Sequence, residues 1–221
     1  MDVYVYKLVK SGLDTAIYGN LHAKACNYFV DKISQTDSYI VKCNKLITDC
    51  LLRHVFSVKY GLTLGKDDII CNLYNKPHTF EDNLFFNLSH SSIYGALVVS
   101  KQPVGIDIED DFKIINTNIS KSILNPLEVY QYEKTKNKSK YLTSLWTVKE
   151  SYLKGLGFGL SIQMNKICYI KESKSVRNVT DESKSWYVNQ RVTDKFVLST
   201  SCTVDDEVSY HYIKNIYGYI N

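Results

Sequence analysis

The sequence has little of several features that would mark particular protein classes. It has three prolines in 221 residues, and its six cysteines include no C-x-x-C pair. This spacing argues against structural zinc and a disulfide framework, so we expect reduced thiols. No apolar run is long enough to cross a bilayer, and the first ten residues alternate like a strand rather than forming a signal peptide. These absences predict a soluble, cytoplasmic protein without a membrane partner.

The composition is that of a globular protein with a mild positive charge. Hydrophobic residues make up 44% and charged residues 23% of the chain, which supplies ample core material. The formal net charge of +4 allows an acidic partner or a phosphorylated ligand. It falls short of the basic footprint of a dedicated nucleic-acid binder, so we expect no nucleic-acid partner.

Residue patterns predict a mixture of helices and strands. In the first half, strands are predicted at 3–9, 84–89, 93–100 and 103–109, with a helix at 45–60 that ends at Gly61. In the second half, Asn125, Pro126 and Glu128 form a helix start, and a longer helix is predicted at about 139–154 with Gly155 as its end. Strands follow near 166–171, 185–191, 195–203 and 208–214. This order predicts an α+β fold with helices packed on antiparallel strands.

The segment VGIDIE (104–109) is the first candidate functional motif. Side chains two apart in a strand share a face, so its aliphatic residues lie on one face and Asp107 and Glu109 lie side by side on the other. Two carboxylates this close repel unless a cation lies between them. The pattern also suits a strand that ends in a polar turn.

The helix WTVKESYLKG (146–155) supplies a third carboxylate and a lysine. Trp146, Glu150 and Lys154 are spaced four residues apart and form one stripe. Alone, a Glu–Lys pair at this spacing is a common feature of solvated helices. Together with Asp107 and Glu109 it makes an oxygen-rich site that suits Mg²⁺, with a lysine placed for phosphoryl chemistry.

Two polar segments upstream are candidates for phosphate binding. FFNLSHSS (85–92) places Ser89 and His90 in a turn between β-rich runs, where hydroxyls, backbone N–H groups and an imidazole could meet an anion. A hairpin turn that satisfies its own backbone explains the same residues. YNKPH (74–78) could place Lys76 on a phosphate, or it is a plain turn.

These motifs together resemble the 4′-phosphopantetheinyl transferases of the larger, monomeric, surfactin-synthetase-activating (Sfp) type. The resemblance is carried by FNLSHS, VGIDIE and WTVKESYLKGLGFGLS in that order, and by NKP at 75–77. It implies a pseudo-dimer of two similar halves, each with helices on a small antiparallel sheet. The N-terminal half would span residues 1–102, and the C-terminal half, with the magnesium and catalytic motifs, residues 103–221.

The resemblance also implies a reaction. A serine of an apo acyl or peptidyl carrier protein would attack coenzyme A, accept its 4′-phosphopantetheine arm and release 3′,5′-ADP. Carrier proteins of this kind are typically acidic, and they serve fatty-acid, polyketide or nonribosomal-peptide synthesis. Both halves of the site would come from one chain, so we expect a monomer.

The family's residue roles carry over to matching positions. Asp107, Glu109 and Glu150 would hold Mg²⁺, and Asp107 would also contact coenzyme A. Glu150, directly or through water, would be the base for the serine proton. Lys154 would stabilise or protonate the departing phosphate oxygen.

The remaining positions concern the nucleotide. By the resemblance, Ser89 and His90 would hold the 3′-phosphate, and Lys76 and Pro77 would lie against the nucleotide. Lys149 would support the site rather than react.

The N-terminal part departs from the family pattern. Asn44 stands where the resemblance places an arginine that grips the 3′-phosphate. Lys42 or Lys45 could substitute, but a lysine lacks the two-pronged guanidinium. Two other functions fit the motifs. One is a Mg²⁺-dependent phosphohydrolase or nuclease, and the other is a carrier-protein-binding module that has lost transfer.

Overall fold

A computed structural model describes residues 1–110, 119–159, 162–179 and 181–219. The helices in this part of the chain are α1 (Thr15–Lys24), α2 (Asn27–Ser34), α3 (Tyr39–Tyr60), α4 (Ser120–Ile123), α5 (Pro126–Lys134) and α6 (Lys138–Leu156). The strands are β1 (Asp2–Lys7), β2 (Ile69–Cys71), β3 (Pro77–Thr79), β4 (Phe85–His90), β5 (Tyr94–Ser100), β6 (Val104–Glu109), β7 (Ile167–Ile170), β8 (Ser175–Asn178), β9 (Asp181–Val192), β10 (Val197–Cys202) and β11 (Ser209–Ile213).

The strands form two main sheets. The first sheet has the order β11-β1-β5-β4, and the second has the order β6-β10-β9-β8-β7. Within the described residues all pairings in these sheets are antiparallel except β1 with β11, which is parallel. The last strand of the chain therefore completes the first sheet. The division of the chain at residues 102 and 103 stays a prediction.

The two sheets pack face to face, and a long helix covers each outer face. Valines of β1 and β5 form one core with the aliphatic side chains of β6 and with Leu198. The opposite face of the first sheet packs on the apolar stripe of α3, including Leu46 and Phe56. The outer face of the second sheet packs on α6 through residues such as Leu145 and Trp186. This arrangement confirms the predicted α+β fold with helices on antiparallel sheets.

The helix starts follow capping chemistry. Asn125 accepts a hydrogen bond from the Leu127 N–H at 3.1 Å, and Glu128 accepts one from the Asn125 N–H at 2.8 Å, which confirms the predicted capping box of α5. Helix α3 begins earlier than predicted, because Ser38 accepts a hydrogen bond from the Val41 N–H and caps it at Tyr39.

The predicted end of α6 at Gly155 is wrong. Gly155 lies inside the helix, which ends at Gly157 in the left-handed conformation with φ of 75°. Gly155 serves packing instead, because a Cβ there would lie within 3.2 Å of three ring carbons of Trp186. A glycine near a helix end can thus belong to a helix–sheet contact rather than to a cap.

Two predictions about the chain as a whole can be compared with the structure. All six cysteines are free thiols. In the described ranges, no helix combines the length and apolarity that crossing a membrane requires.

Candidate active site

The candidate site lies where the edge strands of the two sheets meet. Strand β4 ends the first sheet and β6 ends the second, and the Asn87 side-chain oxygen accepts a hydrogen bond from the Ile106 N–H at 2.9 Å across this junction. Helix α6 lies on the outer face of β6. Three sequence motifs that are distant along the chain therefore converge on one edge.

Close approach of α6 to the second sheet brings the motifs together. A Cβ on Gly105 would lie within 2.8 Å of the Ser151 carbonyl oxygen and of the Gly155 N and Cα, so only glycine fits there. Small hydroxyls line the adjacent contact, where Ser151 and Ser201 are joined by a 2.7 Å hydrogen bond between their Oγ atoms. Gly105, Asp107 and Glu109 alternate along β6, so the two carboxylates lie on the face that α6 covers.

A buried triangle of polar groups forms the centre of the site. Lys154 Nζ lies 2.6 Å from Asp107 Oδ1 and donates a hydrogen bond to Ser89 Oγ at 3.0 Å. Ser89 Oγ in turn donates to Asp107 Oδ1 at 2.8 Å. Side chains from β4, β6 and α6 thus meet at one carboxylate oxygen. The Asp107 side chain is only 4% exposed, and its other oxygen, Oδ2, is buried without a hydrogen-bond partner among the described residues.

The other two carboxylates are held in a partly buried, negatively charged environment. Burial, together with the charge of Asp107, raises the pKa of Glu109 to about 7. Burial raises the pKa of Glu150 to about 6, with Lys154 opposing and Asp107 adding to the shift. The charges of Asp107 and Glu150 both contribute to the raised pKa of Glu109, so the three carboxylates share one field.

The residues present fit a divalent cation. In the described part of the chain, no three His, Cys, Asp or Glu side chains are arranged as a ready metal cluster, and Lys154 lies against Asp107 instead. However, the buried, unpartnered Oδ2 of Asp107 and the mutual repulsion with Glu109 and Glu150 are both relieved by a cation at this point. A donor set of carboxylate oxygens suits Mg²⁺ rather than zinc.

A cavity of about 700 Å³ opens beside Ser89. Its basic and hydroxyl-bearing lining includes Lys10, Lys32, Lys45, Thr48, Ser89, His90, Ser91 and Ser92, and the remaining wall is mostly apolar. We call it the anion cavity. Burial and the nearby charge of Lys32 lower the pKa of Lys45, and burial, with Lys45 and Lys154, lowers the pKa of His90. An anion would relieve the repulsion among these groups.

Lys32 is a candidate site residue that the motifs did not single out. It lies on α2, whose sequence carries no functional pattern, and it reaches the anion cavity only because α2 packs beside α3. The sequence signal available was a lysine in an amphipathic helix, which is too common to select it.

Asp110 is a second residue that the motifs missed. Its carboxylate accepts hydrogen bonds from Ser91 Oγ at 2.6 Å, from Ser92 Oγ at 2.8 Å and from the Ile93 N–H at 2.5 Å. Asp110 follows β6 directly, so it ties the serine-rich turn of the anion cavity to the strand that carries the carboxylates. Ser89 and His90 are the last residues of β4, so their predicted place within the turn is wrong. The turn that follows them is held by Asp110 as well as by its own backbone.

Asn44 lines the anion cavity, but its amide is already engaged. Asn44 Oδ1 accepts a hydrogen bond from the Val9 N–H at 2.8 Å, and Nδ2 donates to the Val9 carbonyl at 3.0 Å. The residue at the predicted arginine position thus joins the end of the first strand region to α3. Lys45, the predicted substitute, does line the cavity.

Lys76 and Pro77 lie apart from the anion cavity. Lys76 Nζ donates hydrogen bonds to the Gly155 carbonyl at 2.7 Å and to the Val104 carbonyl at 3.3 Å, and burial lowers its pKa to about 8. Lys76 therefore links the loop after β2 to α6 and β6. Contact of Lys76 and Pro77 with a nucleotide stays a prediction.

Lys149 anchors α6 from its buried side. Its ammonium is fully buried and lies 2.6 Å from Glu128 Oε2, and it donates hydrogen bonds to the carbonyls of Ile123 at 2.6 Å and Met164 at 3.2 Å. These bonds fix the helix that carries Glu150 and Lys154. This position agrees with a supporting role rather than a reacting one.

The match to a known family covers the part of the chain that carries the carboxylates. Residues 103–201 match the family described as the 4′-phosphopantetheinyl transferase superfamily. Asp107, Glu109, Glu150 and Lys154 all lie within this range. The residues that line the anion cavity all precede residue 103, where the matched range begins.

Curated relatives carry the same family name. The chain is 32% identical over 123 residues to a 4′-phosphopantetheinyl transferase of Bacillus subtilis, covering 54% of each protein. It is 34% identical over 124 residues to the 4′-phosphopantetheinyl transferase Sfp of Bacillus subtilis (strain 168), again covering 54% of each. For the 4′-phosphopantetheinyl transferase gsp of Aneurinibacillus migulanus the identity is 32% over 140 residues, covering 62% of this chain and 56% of the relative. The chain spans about half the length of the curated relatives it matches.

Two solved structures have a partial likeness to this one. A holo-[acyl-carrier-protein] synthase of Thermotoga maritima aligns with a TM-score of 0.36 and 16% identity, over 45% of this chain and 61% of that chain. A holo-ACP-synthase of Plasmodium yoelii aligns with a TM-score of 0.36 and 23% identity, over 45% of this chain and 91% of that chain. In sequence, residues 103–201, which include the three carboxylates and Lys154, are therefore similar to the 4′-phosphopantetheinyl transferase superfamily, and about half of the chain is similar to curated transferases such as Sfp.

Proposed function

We propose that this protein transfers the 4′-phosphopantetheine arm of coenzyme A to a serine hydroxyl of an apo acyl or peptidyl carrier protein. The bond that forms joins the serine oxygen to the phosphorus nearer the pantetheine, and the bond that breaks releases 3′,5′-ADP. The observation that carries the proposal is the meeting of Asp107, Ser89 and Lys154 at the edge of a basic cavity, with Glu109 and Glu150 in the same field. The names of the curated relatives support it.

Asp107, Glu109 and Glu150 would hold a Mg²⁺ ion in this reaction. When bound, the ion would neutralise oxygens of the coenzyme A diphosphate. The buried and unpartnered Oδ2 of Asp107 supports this assignment. Lys154 would then be released from its contact with Asp107 toward the phosphate.

Glu150 and Lys154 would handle the proton and the leaving group. A carboxylate with a pKa of about 6 is partly ionised near neutral pH and can accept the proton of the attacking serine. Lys154, whose side chain is 31% exposed, can stabilise or protonate the phosphate oxygen of the departing 3′,5′-ADP. The two residues lie four positions apart on α6, so one rigid element sets their spacing.

The anion cavity would hold the nucleotide phosphates. Lys32 and Lys45 would provide positive charge there, and Ser89, Ser91 and the His90 imidazole would provide hydrogen-bonding groups. Because Asn44 is bonded to Val9, the 3′-phosphate would be held by lysines as point charges rather than by a bidentate arginine.

The proposal extends to the setting of the reaction. The site described here takes its groups from one chain, so we propose that the protein acts as a monomer. Six free, scattered thiols suit the reducing cytoplasm, which is where we place the activity.

Replacement of Glu150 tests the proposed chemistry. We expect Glu150→Gln to lower the rate of 3′,5′-ADP release in the presence of carrier, coenzyme A and Mg²⁺ by about 100-fold or more, because the general base is lost. Glu133→Gln is the matched control, since Glu133 forms an exposed ion pair with Lys138 on another helix surface. A Glu150→Gln protein as active as this control would remove Glu150 from the mechanism. Release of 3′,5′-ADP without a carrier would instead favour a phosphohydrolase.

A further inference from the structure

A second cavity, of about 580 Å³, opens at the carboxylate end of β6 and is separate from the triangle of Asp107, Ser89 and Lys154. It lies between the ends of β1 and β11, the start of β5 and the turn that joins β9 to β10. Phe196 in this turn packs edge-on against Tyr94 at a ring distance of 5.1 Å. The next residue, Val197, pairs with Glu109 on β6. The cavity is therefore one strand away from a candidate metal ligand.

The lining of this cavity is strongly basic. Lys7, Arg191, Lys195 and Lys214 line it, against a single carboxylate, Asp194. Among the described residues, none of these four cations forms an ion pair. Cations on a folded surface without counter-charges produce a positive potential that attracts acidic partners.

Arg191 is held in place by aromatic rings. Its guanidinium lies 5.0 Å from the ring centroid of Tyr210 and 5.3 Å from that of Tyr212. Tyr212 is 45% exposed, and Val192, which follows Arg191 in the chain, is 44% exposed. Exposed Tyr and a pre-positioned Arg are the residue types that most often anchor protein–protein interfaces. The exposed apolar and aromatic side chains on this surface favour a protein partner over a nucleic acid.

The basic surface continues to the anion cavity. Lys7 and Lys214 also line a smaller hollow of about 280 Å³, which reaches Lys10. Lys10 in turn lines the anion cavity. Basic residues therefore connect a protein seated on the outer cavity to the anion cavity.

We propose that Lys7, Arg191, Lys195, Tyr212 and Lys214 form the docking surface for the acidic carrier protein. This inference rests on the proposed transferase function and locates its protein substrate. The lysines would mainly speed and orient the encounter, while Arg191 and Tyr212 would supply the buried contact. Reaction at the serine would then follow at Glu150 on α6, the helix that packs on β6.

Charge reversal separates docking from chemistry. The variant is Lys195→Glu with Lys214→Glu, and the matched control is Lys166→Glu with Lys171→Glu. The control changes the net charge equally on exposed lysines that flank β7, the strand at the opposite edge of the second sheet from β6. Initial rates of transfer to a panel of acidic apo acyl and apo peptidyl carrier proteins give KM and kcat, and titration calorimetry gives carrier affinity independently of turnover.

We expect the Lys195→Glu, Lys214→Glu protein to show a KM for carrier about tenfold above wild type, with kcat at saturating carrier and the KM for coenzyme A within about twofold. The wild-type KM for carrier should also rise with salt, and the variant should show less of this dependence. The Lys166→Glu, Lys171→Glu control should match wild type.

Other results would overturn the docking surface. If the Lys195→Glu, Lys214→Glu protein transfers with an unchanged KM for carrier, or if the control shows the same rise in this KM, the proposed docking surface is wrong. The proposed transferase function would be unaffected by either result. Carrier binding that depends on Lys195 and Lys214, without transfer, would keep the surface and reject the function. Binding of a short DNA duplex that the reversal abolishes, with carrier affinity unchanged, would assign the surface to nucleic acid.

Discussion

Substitution of Gly105 by alanine tests how the site is assembled. The added Cβ would lie within 2.8 Å of three backbone atoms of α6, whereas real Cβ atoms essentially never come within 3.0 Å of another atom. Because these are backbone atoms, no side-chain rotation relieves the overlap. Helix α6 and strand β6 must therefore separate by about 1 Å.

The displacement has two consequences that can be measured separately. Overpacking of this kind costs about 3 kcal/mol, so the free energy of unfolding in urea should fall by about that amount. Because a misplacement of about 1 Å in a catalytic constellation costs about 100-fold, transfer to an apo carrier should fall by about that factor under conditions where the variant is folded. The loss of activity comes from separating Asp107 and Glu109 from Glu150 and Lys154.

Gly19→Ala is the matched control for this prediction. Gly19 lies inside α1 and nothing is within 4 Å of the added Cβ, so alanine should raise stability by about 0.5–1 kcal/mol. The reasoning fails if the free energy of unfolding of Gly105→Ala is within about 0.5 kcal/mol of the wild-type value and the variant modifies the carrier at the wild-type rate. Close approach of α6 to β6 would then not be what forms the site.

Three further predictions concern the metal, the anion cavity and the N-terminal strand. Asp107→Ala should abolish the part of coenzyme A binding that depends on Mg²⁺, measured by calorimetry with and without EDTA; an unchanged dependence would contradict the metal assignment. Asn44→Arg should tighten coenzyme A binding about tenfold, yet lower the free energy of unfolding by about 1–2 kcal/mol, because the Val9 N–H loses its acceptor; unchanged stability would show that this bond contributes little. Burial raises the pKa of Asp2, but hydrogen bonds from Lys59 and His211 outweigh this effect and lower the pKa below its ordinary value of 3.8. The stability that Asp2 provides is therefore present above about pH 4 and is lost as the pH falls through its lowered pKa. Wild type and Asp2→Asn should differ in Tm at about pH 6, and this difference should shrink as the pH falls below about 4; a difference that does not shrink in acid would refute this.

Much of the second half was predictable from the sequence because its signals are local. The capping box at Asn125 and Glu128 depends on residues three apart, and the alternation of VGIDIE sets which face of β6 carries Asp107 and Glu109. The i, i+4 spacing likewise places Glu150 and Lys154 on one side of α6. These features need no knowledge of the tertiary fold.

The remaining features depend on contacts between distant segments. Gly155 has the appearance of a helix end, but its contact with Trp186 keeps it inside α6. The parallel pairing of β11 with β1 joins the two ends of the chain, and no local pattern specifies it. Lys32 and Asp110 become visible as candidate site residues only when neighbouring elements are in place.

The residues expected at the nucleotide were harder to predict from the sequence than the carboxylates, because their partners lie far away along the chain. The sequence shows Asn44 where the resemblance predicts an arginine, but only the structure shows that the Asn44 amide is hydrogen-bonded to Val9. The sequence predicts Lys76 at the nucleotide, and the structure shows that its ammonium donates to carbonyls of α6 and β6, so its contact with a nucleotide stays a prediction. A lysine in a turn can serve a ligand or a backbone carbonyl, and sequence alone does not distinguish these partners.

Intact mass spectrometry of an apo acyl or peptidyl carrier protein tests the central claim most directly. The carrier is incubated with this protein, coenzyme A and Mg²⁺, and parallel samples contain EDTA or the Glu150→Gln variant. We predict that the carrier gains the mass of one phosphopantetheine group, and that both EDTA and Glu150→Gln prevent the gain. If acidic carriers of both types keep their apo mass while coenzyme A binds, the transferase account is contradicted.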